Sequence, residues 1–430
     1  MKIRLVPLII GALFLTSYNF VSAEQADYQK EEAVVLAFKE EAMREAFQEI
    51  EMRSLLDIAE KDGEKSSSDL SFEAHSYLDT SIIYSDNVWH VADNVKNDLW
   101  LYLNPEVRLT LGNFLELYMN KLQQELELDL GAQITHSFLR SVDLSREAPY
   151  GRLKYGLVGG RNKLNLSHYF IRGYELTSDL AADVEGLTGY QGSETRLNWE
   201  YSFNRFGIGL GYERRANEYA KQYKISNTFE DNVGIITAFL NLTPKTRVFL
   251  EYDFGRYEYT KALTNVSDYD YSELWVGANG KLSKKLSGLI KFGFENYKYE
   301  SGTSKNNLMT IMADLEYKQS SKNILFLDLS FGSTSTGYVD LGVDEQKSVE
   351  LGFLHNFNSK LSFKGDFSFV NDNYHSSQVD NTYGYSLTLN YLFQKWMKIK
   401  LGYEYQDRSS TVHTSEYKNN KYFLGTELEF

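Results

Sequence analysis

Leu99-Trp100-Leu101-Tyr102-Leu103-Asn104-Pro105-Glu106-Val107-Arg108-Leu109-Thr110-Leu111 is the stretch that decides the fold. Every odd position is apolar, and the even positions carry Trp, Tyr, Asn, Glu, Arg and Thr. An α-helix, repeating roughly every 3.6 residues, would scatter these apolar side chains around its axis, whereas a strand gathers them on one face. The stretch is therefore a strand with one apolar and one polar side. The same alternation returns at Leu197, Trp199, Tyr201 and Phe203, at Phe206, Ile208, Leu210 and Tyr212, and at Met309, Ile311, Ala313, Leu315 and Tyr317, with mainly polar residues or Gly between.

Composition agrees with many such strands. The 430 residues include 32 Tyr and 26 Phe but only 4 Pro, and the mean hydropathy is −0.42, as expected where only one face of each strand is apolar. The absence of Cys excludes disulfides, thiol nucleophiles and thiolate metal sites. Lys2 and Arg4, the apolar run Leu5 to Phe20 and the small-residue site Val21-Ser22-Ala23 read as a signal peptide cleaved after Ala23. Its loss takes two positive charges from a net of −14, leaving −16, which makes nucleic acid an unsuitable partner. Beyond Ala23 no apolar run reaches the ~18 residues that a membrane helix needs. An exported chain of this kind is either soluble or a barrel.

Short turns alternate with long polar connections. The short ones are Gly112-Asn113, Arg161 to Lys163, Asn204-Arg205, Thr243 to Lys245, Ser283 to Lys285, Gln319 to Lys322, Asn358 to Lys360 and Gln394-Lys395. The long ones include Asp86 to Asn97, Ser141 to Pro149, Thr177 to Gly192, Ala216 to Asp231 and Ser335 to Glu345. Tight periplasmic turns and long outer loops characterise transmembrane β-barrels. The fold class expected is all-β: an outer-membrane antiparallel β-barrel of about 18 strands with both ends periplasmic. Phe114 to Phe138 is too long for one simple strand. The last segment, Tyr422 to Phe430, alternates and ends on an aromatic, like the signal that barrel-assembly machinery reads.

Ahead of the barrel, Leu36, Met43, Phe47, Ile50 and Ile58 recur at helical spacing, predicting an amphipathic periplasmic helix over Glu31 to Glu60. Gly63 and Ser66 to Ser68 form a linker. Glu24 to Lys65 carries 13 acidic and 6 basic residues, so its apolar stripe calls for a protein partner or the lumen wall and not an anionic lipid surface. The expected organisation is thus signal peptide 1–23, helical segment and linker 24–68, and barrel 69–430. Its surroundings would be the lipids and lipopolysaccharide of a Gram-negative outer membrane.

Ser81 to Leu111, with Tyr84-Ser85-Asp86-Asn87 in the first outer loop and Asp98 leading a strand through Asn104-Pro105, resembles the putative β-barrel porin 2 family. That family includes barrels encoded with exopolysaccharide biosynthesis and export systems. The resemblance implies passage of surface polysaccharide through the lumen, with periplasmic export proteins docking on the N-terminal helix. A general or sugar-selective diffusion porin and a closed structural or adhesin-like barrel are the alternatives.

The residues opposite the apolar stripes are the candidates to line a pore: Glu106, Arg108, Glu251, Asp253, Glu273, Lys291, Glu295, Asp314, Asp366, Lys398, Lys400 and Glu404. Such charges either sort solutes by sign or pair across strands and wet the interior. Trp100 and Tyr102 beside Glu106, and Tyr271 and Trp275 beside Glu273, could stack on sugar rings while a carboxylate holds the hydroxyls. Interfacial girdles are the plainer use of aromatics in a barrel. Asp372, His375, Ser376 and Ser377 share a loop, but chance adjacency explains them better than catalysis, and no enzyme is expected. Asp86-Asn87 and Asp268-Tyr269-Asp270 read as solvated loop tips sooner than Ca²⁺ or lipopolysaccharide-phosphate ligands. No cofactor or metal is expected.

Overall fold

The computed structural model describes residues 71–88, 95–112, 122–139, 145–176, 187–219, 228–260, 268–300, 304–334, 344–373, 378–412 and 416–430. The expected signal peptide, the helix expected over Glu31 to Glu60 and the expected linker lie outside the described residues, as do His375, Ser376 and Ser377.

The described chain is a ladder of strands. In order these are β1 (Ser71–Ser85), β2 (Asp98–Gly112), β3 (Leu122–Ser137), β4 (Arg146–Gly159), β5 (Asn162–Leu176) and β6 (Leu187–Phe203). Next come β7 (Phe206–Tyr219), β8 (Phe229–Thr243), β9 (Thr246–Tyr259), β10 (Tyr269–Lys281), β11 (Leu286–Tyr299) and β12 (Ser304–Lys318). The last six are β13 (Asn323–Thr334), β14 (Asp344–Asn356), β15 (Leu361–Asn373), β16 (Val379–Gln394), β17 (Met397–Ser410) and β18 (Tyr417–Glu429). Each pairs antiparallel with its chain neighbours, and β1 pairs with β18, so the 18-stranded sheet closes on itself. Closure leaves no edge strand with unpaired backbone groups, which a bilayer would not tolerate.

Phe430 finishes the seam: its backbone N–H donates to the Ser76 carbonyl at 2.9 Å, and Ser76 returns the bond at 3.0 Å. At the other end of the seam, Asp86 accepts from the backbone and side-chain nitrogens of Asn420, both at 2.7 Å. Asp86 is thereby a clamp between β1 and β18.

The outer surface is apolar where a bilayer would touch it. Leu210, Leu250, Val276, Leu351, Leu401 and Leu424 stand exposed in the middle, while Phe203, Phe206, Phe393, Trp396 and Phe430 stand exposed toward the short turns. Tyr212, Tyr383, Tyr385 and Tyr422 occupy the opposite side of the belt. A 14-residue strand such as β9, at ~3.4 Å per residue and a tilt of about 40°, rises about 36 Å. That exceeds the apolar band of about 25 Å and leaves polar rims above and below.

Two-residue turns join β4 to β5, β6 to β7, β8 to β9 and β16 to β17. In one of them Asn204 adopts φ 63°, a left-handed conformation that Asn tolerates well and that suits a tight hairpin. The turn expected at Gly112-Asn113 is different. β2 ends at Gly112, the next described strand begins at Leu122, and Gly112 lies opposite Glu125, so a two-residue turn at Gly112-Asn113 does not join them. Within the overlong segment before Phe138, the described strand is Leu122–Ser137. Pro105 interrupts the β2–β3 ladder: pairing skips from Leu103–Ile134 to Glu106–Gly131, while the β1 side runs unbroken through Leu78–Pro105. A residue without an N–H can complete a ladder on only one side.

Several strands also reach further into the outer segments than their polar sequence suggested. β6 begins at Leu187, β7 runs to Tyr219 and β8 begins at Phe229, which makes Asp231 a wall residue and not part of a loop.

Candidate functional site

The inward wall divides into two arcs of different electrostatic character. The first runs from β17 through the seam to β6. Arg108 Nε donates to Asp129 at 2.8 Å and its Nη2 to Glu106 at 3.1 Å, while the Tyr150 hydroxyl donates to Glu106 at 2.8 Å. Lys154 meets Glu127 at 2.6 Å, and Arg247, reaching from β9, meets Glu200 at 2.8 Å. Arg196 bonds Glu194 and approaches Glu213 at 3.5 Å. Across the seam, Lys400 bridges Asp79 at 3.2 Å and Glu427 at 2.8 Å, Lys398 also takes Glu427, and Lys421 takes Glu404. At the arc's edge Arg408 on β17 pairs with Asp380 on neighbouring β16, the two being 4% and 0% exposed. Cross-strand partners of opposite sign make this side of the wall nearly self-neutralising.

The second arc spans β9 to β14. Register places Asp253 directly opposite Glu273, and Glu273 directly opposite Glu295. Further round, Asp314 faces Asp328, and Asp328 faces Glu350. Like charges set opposite one another destabilise a sheet. Lys291 is the cation set among the first group: its Nζ lies 3.3 Å from Glu251 and 4.2 Å from the centre of the Trp275 ring. Trp275 Nε1 donates to Glu273 at 2.8 Å, and the Tyr297 hydroxyl donates to Glu295 at 3.1 Å. Asp253 is only 8% exposed, and its Oδ1 has no hydrogen-bond partner.

Aromatic rings cover this group on the loop side. Tyr257, Tyr269, Tyr297 and Tyr299 form a buried cluster against Phe229, Tyr259, Tyr271 and Leu308. Tyr257 and Tyr269 stack at 5.1 Å, nearly parallel. Two glycines let rings lie flat on the wall. A Cβ at Gly255 would come within 2.5 Å of the Tyr271 ring, and one at Gly293 within 2.8 Å of Trp275.

Of the residues singled out from sequence, Glu251, Asp253, Tyr271, Glu273, Trp275, Lys291 and Glu295 are brought together on three adjacent strands. Trp100, Tyr102, Glu106 and Arg108 share one face of β2, in the paired arc. Lys398, Lys400 and Glu404 lie on β17, Asp366 sits beside Lys364 on β15 at 3.2 Å, and Asp314 is alone of the set on β12. Trp275 is 4% exposed with its ring already occupied by Lys291, which distinguishes it from a free sugar platform. The Tyr271 hydroxyl is engaged as well, donating to Asp231 at 2.9 Å.

Sequence reading passed over Asp129, Arg152, Arg215 and Asp231. Arg215 meets Asp231 at 2.6 Å, and Asp129 is 1% exposed beside Arg108 and Arg152. For the pair Arg215–Asp231, a segment read as loop hid the alternation that continues into it.

Residues 158–430 match the model of the putative beta-barrel porin 2 family. The chain belongs to that family. The stretch Ser81 to Leu111, which carries the resemblance in the sequence, lies outside the matched residues. With the closed barrel and its apolar belt, membership makes this an outer-membrane porin-like channel. No curated protein matches the sequence. Among solved structures, the porin-2 barrel is similar to OccAB4 of Acinetobacter baumannii at 13% identity and a TM-score of 0.47, over 85% of this chain and 100% of that one. It is also similar to OccK7 of Pseudomonas aeruginosa, at 11% identity and 0.46, over 83% and 99%. A BenF-like porin from Pseudomonas fluorescens Pf-5 gives 9% and 0.47, over 84% and 99%.

Proposed function

We propose that this porin-2 barrel is a passage for polar solutes that favours neutral and cationic molecules over anionic ones. The observation that carries the reading is the acidic arc, where Asp253, Glu273 and Glu295 stand side by side with Lys291 as the cation among them. Barrels of this strand number enclose an aqueous lumen, and a ring of one sign along a low-dielectric wall raises the local concentration of the opposite sign. The paired arc contributes little net field.

Export of exopolysaccharide, implied by the family resemblance, is a narrower form of the same reading, and an acidic lumen suits a neutral or amino-sugar polymer better than a polyuronate. In that reading the segment before the barrel docks periplasmic export proteins, and Phe430 serves as the assembly signal. Swelling of proteoliposomes in isosmotic glucosamine, glucose and glucuronate, three solutes of nearly equal size, tests the charge preference. Entry in that order is expected. Fastest entry of glucuronate would overturn the reading.

A further inference from the structure

The acidic arc holds a group whose register is costly and whose partners are incomplete. Asp253, Glu273 and Glu295 lie on neighbouring strands at one level of the wall, each directly opposite the next. Strands lie ~4.8 Å apart, so the carboxylates are close enough to repel and too close to be neutralised separately. Glu295 accepts from Tyr297 and from the Ser333 backbone, and Glu273 accepts from Trp275. Asp253 Oδ1, in a residue more than nine-tenths buried, accepts from nothing. A buried oxygen left so is normally matched by a donor, protein or ligand. Asp129 Oδ2 in the other arc also lacks a hydrogen bond but has Arg152 at 3.7 Å, whereas Asp253 has like-charged Glu273 opposite.

The surroundings indicate the chemistry of the missing donor. Lys291 shows an ammonium already at home here, seated over the Trp275 ring and against Glu251. Tyr271 and Tyr297 flank the row on the loop side, their rings 6.1 Å apart. An ammonium brings several N–H donors and gains from an aromatic face. Among the described residues no three His, Asp or Glu side chains converge to hold a metal ion. Hydrogen-bond reach, longer than a metal–oxygen bond, suits this spacing.

We propose that Asp253, Glu273 and Glu295, with Tyr271 and Tyr297, bind the ammonium group of a small cationic solute in transit. The site deepens the charge preference proposed above and rests on it for its physiological meaning. Its existence is tested separately, by equilibrium binding that needs no conduction. Putrescine is the probe, and 1,4-butanediol, nearly the same shape without charge, is the control. Both are titrated calorimetrically into the refolded, heat-modifiable barrel in detergent.

Native protein is expected to bind putrescine and not butanediol. Asp253→Asn should weaken putrescine by about tenfold or more, the effect of losing one charge-assisted contact. Asp328→Asn, also acidic but in a different row, should stay within about threefold, as for a distant screened charge. Equal heats for the two probes, no putrescine binding, or an Asp253→Asn variant that binds like native would each overturn the site. If binding fails while glucosamine still outruns glucuronate, the channel reading survives and the site alone falls. Binding without charge preference leaves the site standing and removes the channel reading.

Discussion

Arg108 on β2 and Lys291 on β11 are both inward cations among several carboxylates, yet their surroundings differ. Around Arg108 the register alternates sign, so that Glu106 and Asp129 Oδ1 accept from Arg108 and Arg152 stands 3.7 Å from Asp129 Oδ2. Around Lys291 it repeats sign: Asp253, Glu273 and Glu295 stand in a row, and Lys291 pairs with Glu251 beside it. The backbone architecture is the same in both places. One arc therefore alternates its charges along the wall, and the other sets like charges side by side.

The strongest way to break this contrast is to remove a cation from the paired arc. Arg408→Met leaves Asp380, 0% exposed, without its guanidinium partner, while the Gln378 amide still donates to it. A loss of about 3–5 kcal/mol is expected, the cost of stranding a buried charge. Urea unfolding of the refolded barrel measures it, and an unchanged midpoint would mean that the pair holds nothing.

The outer face sets the scale for comparison. Leu210, 49% exposed on the apolar belt, should cost about 2–4 kcal/mol as Leu210→Arg at mid-bilayer. Inward Thr110→Arg should be tolerated. Equal loss of membrane-inserted, heat-modifiable protein from both would show that the faces have been exchanged.

A matched pair of smaller changes tests the arcs against each other. Asp129→Asn weakens the Arg108 bond and should destabilise by about 1.5–3 kcal/mol, as hydrogen bonds to charged groups do. Asp253→Asn removes a like charge from opposite Glu273 and should stabilise by about 0.2–1 kcal/mol. The prediction lies in the opposite signs. Two losses of similar size would mean that Asp253 has a compensating partner.

Much of this was legible in the sequence because alternation is a local property. Leu99 to Leu111 shows its two faces without any knowledge of its neighbours, and the strand number follows from repeating that reading to Phe430. Register is not local. Whether Glu273 meets Asp253 and Glu295 depends on the lengths of connections on both sides, and a slip of one residue would send the whole set to the other face. So the acidic residues could be named while their row could not. Asp231 was lost for a related reason: Arg214, Arg215, Asn217 and Glu218 make the outer end of β7 as polar as a loop, although pairing continues through Asn217–Phe229. At Gly112 β2 stops where the dipeptide signal places its end, but β3 begins at Leu122, since a turn signal marks where a strand stops and says nothing of how far away the next one starts.

The claim that the acidic arc governs what passes is tested most directly by reversal potential across a planar bilayer in a potassium chloride gradient. Native protein is expected to prefer potassium. Combined Glu251→Gln, Asp253→Asn and Glu273→Gln should bring the reversal potential close to zero. Combined Lys154→Met and Glu127→Gln, which removes a complete pair from the other arc, should leave the native value in place. A native anion preference, or an unchanged potential after neutralising the acidic arc, would contradict the account.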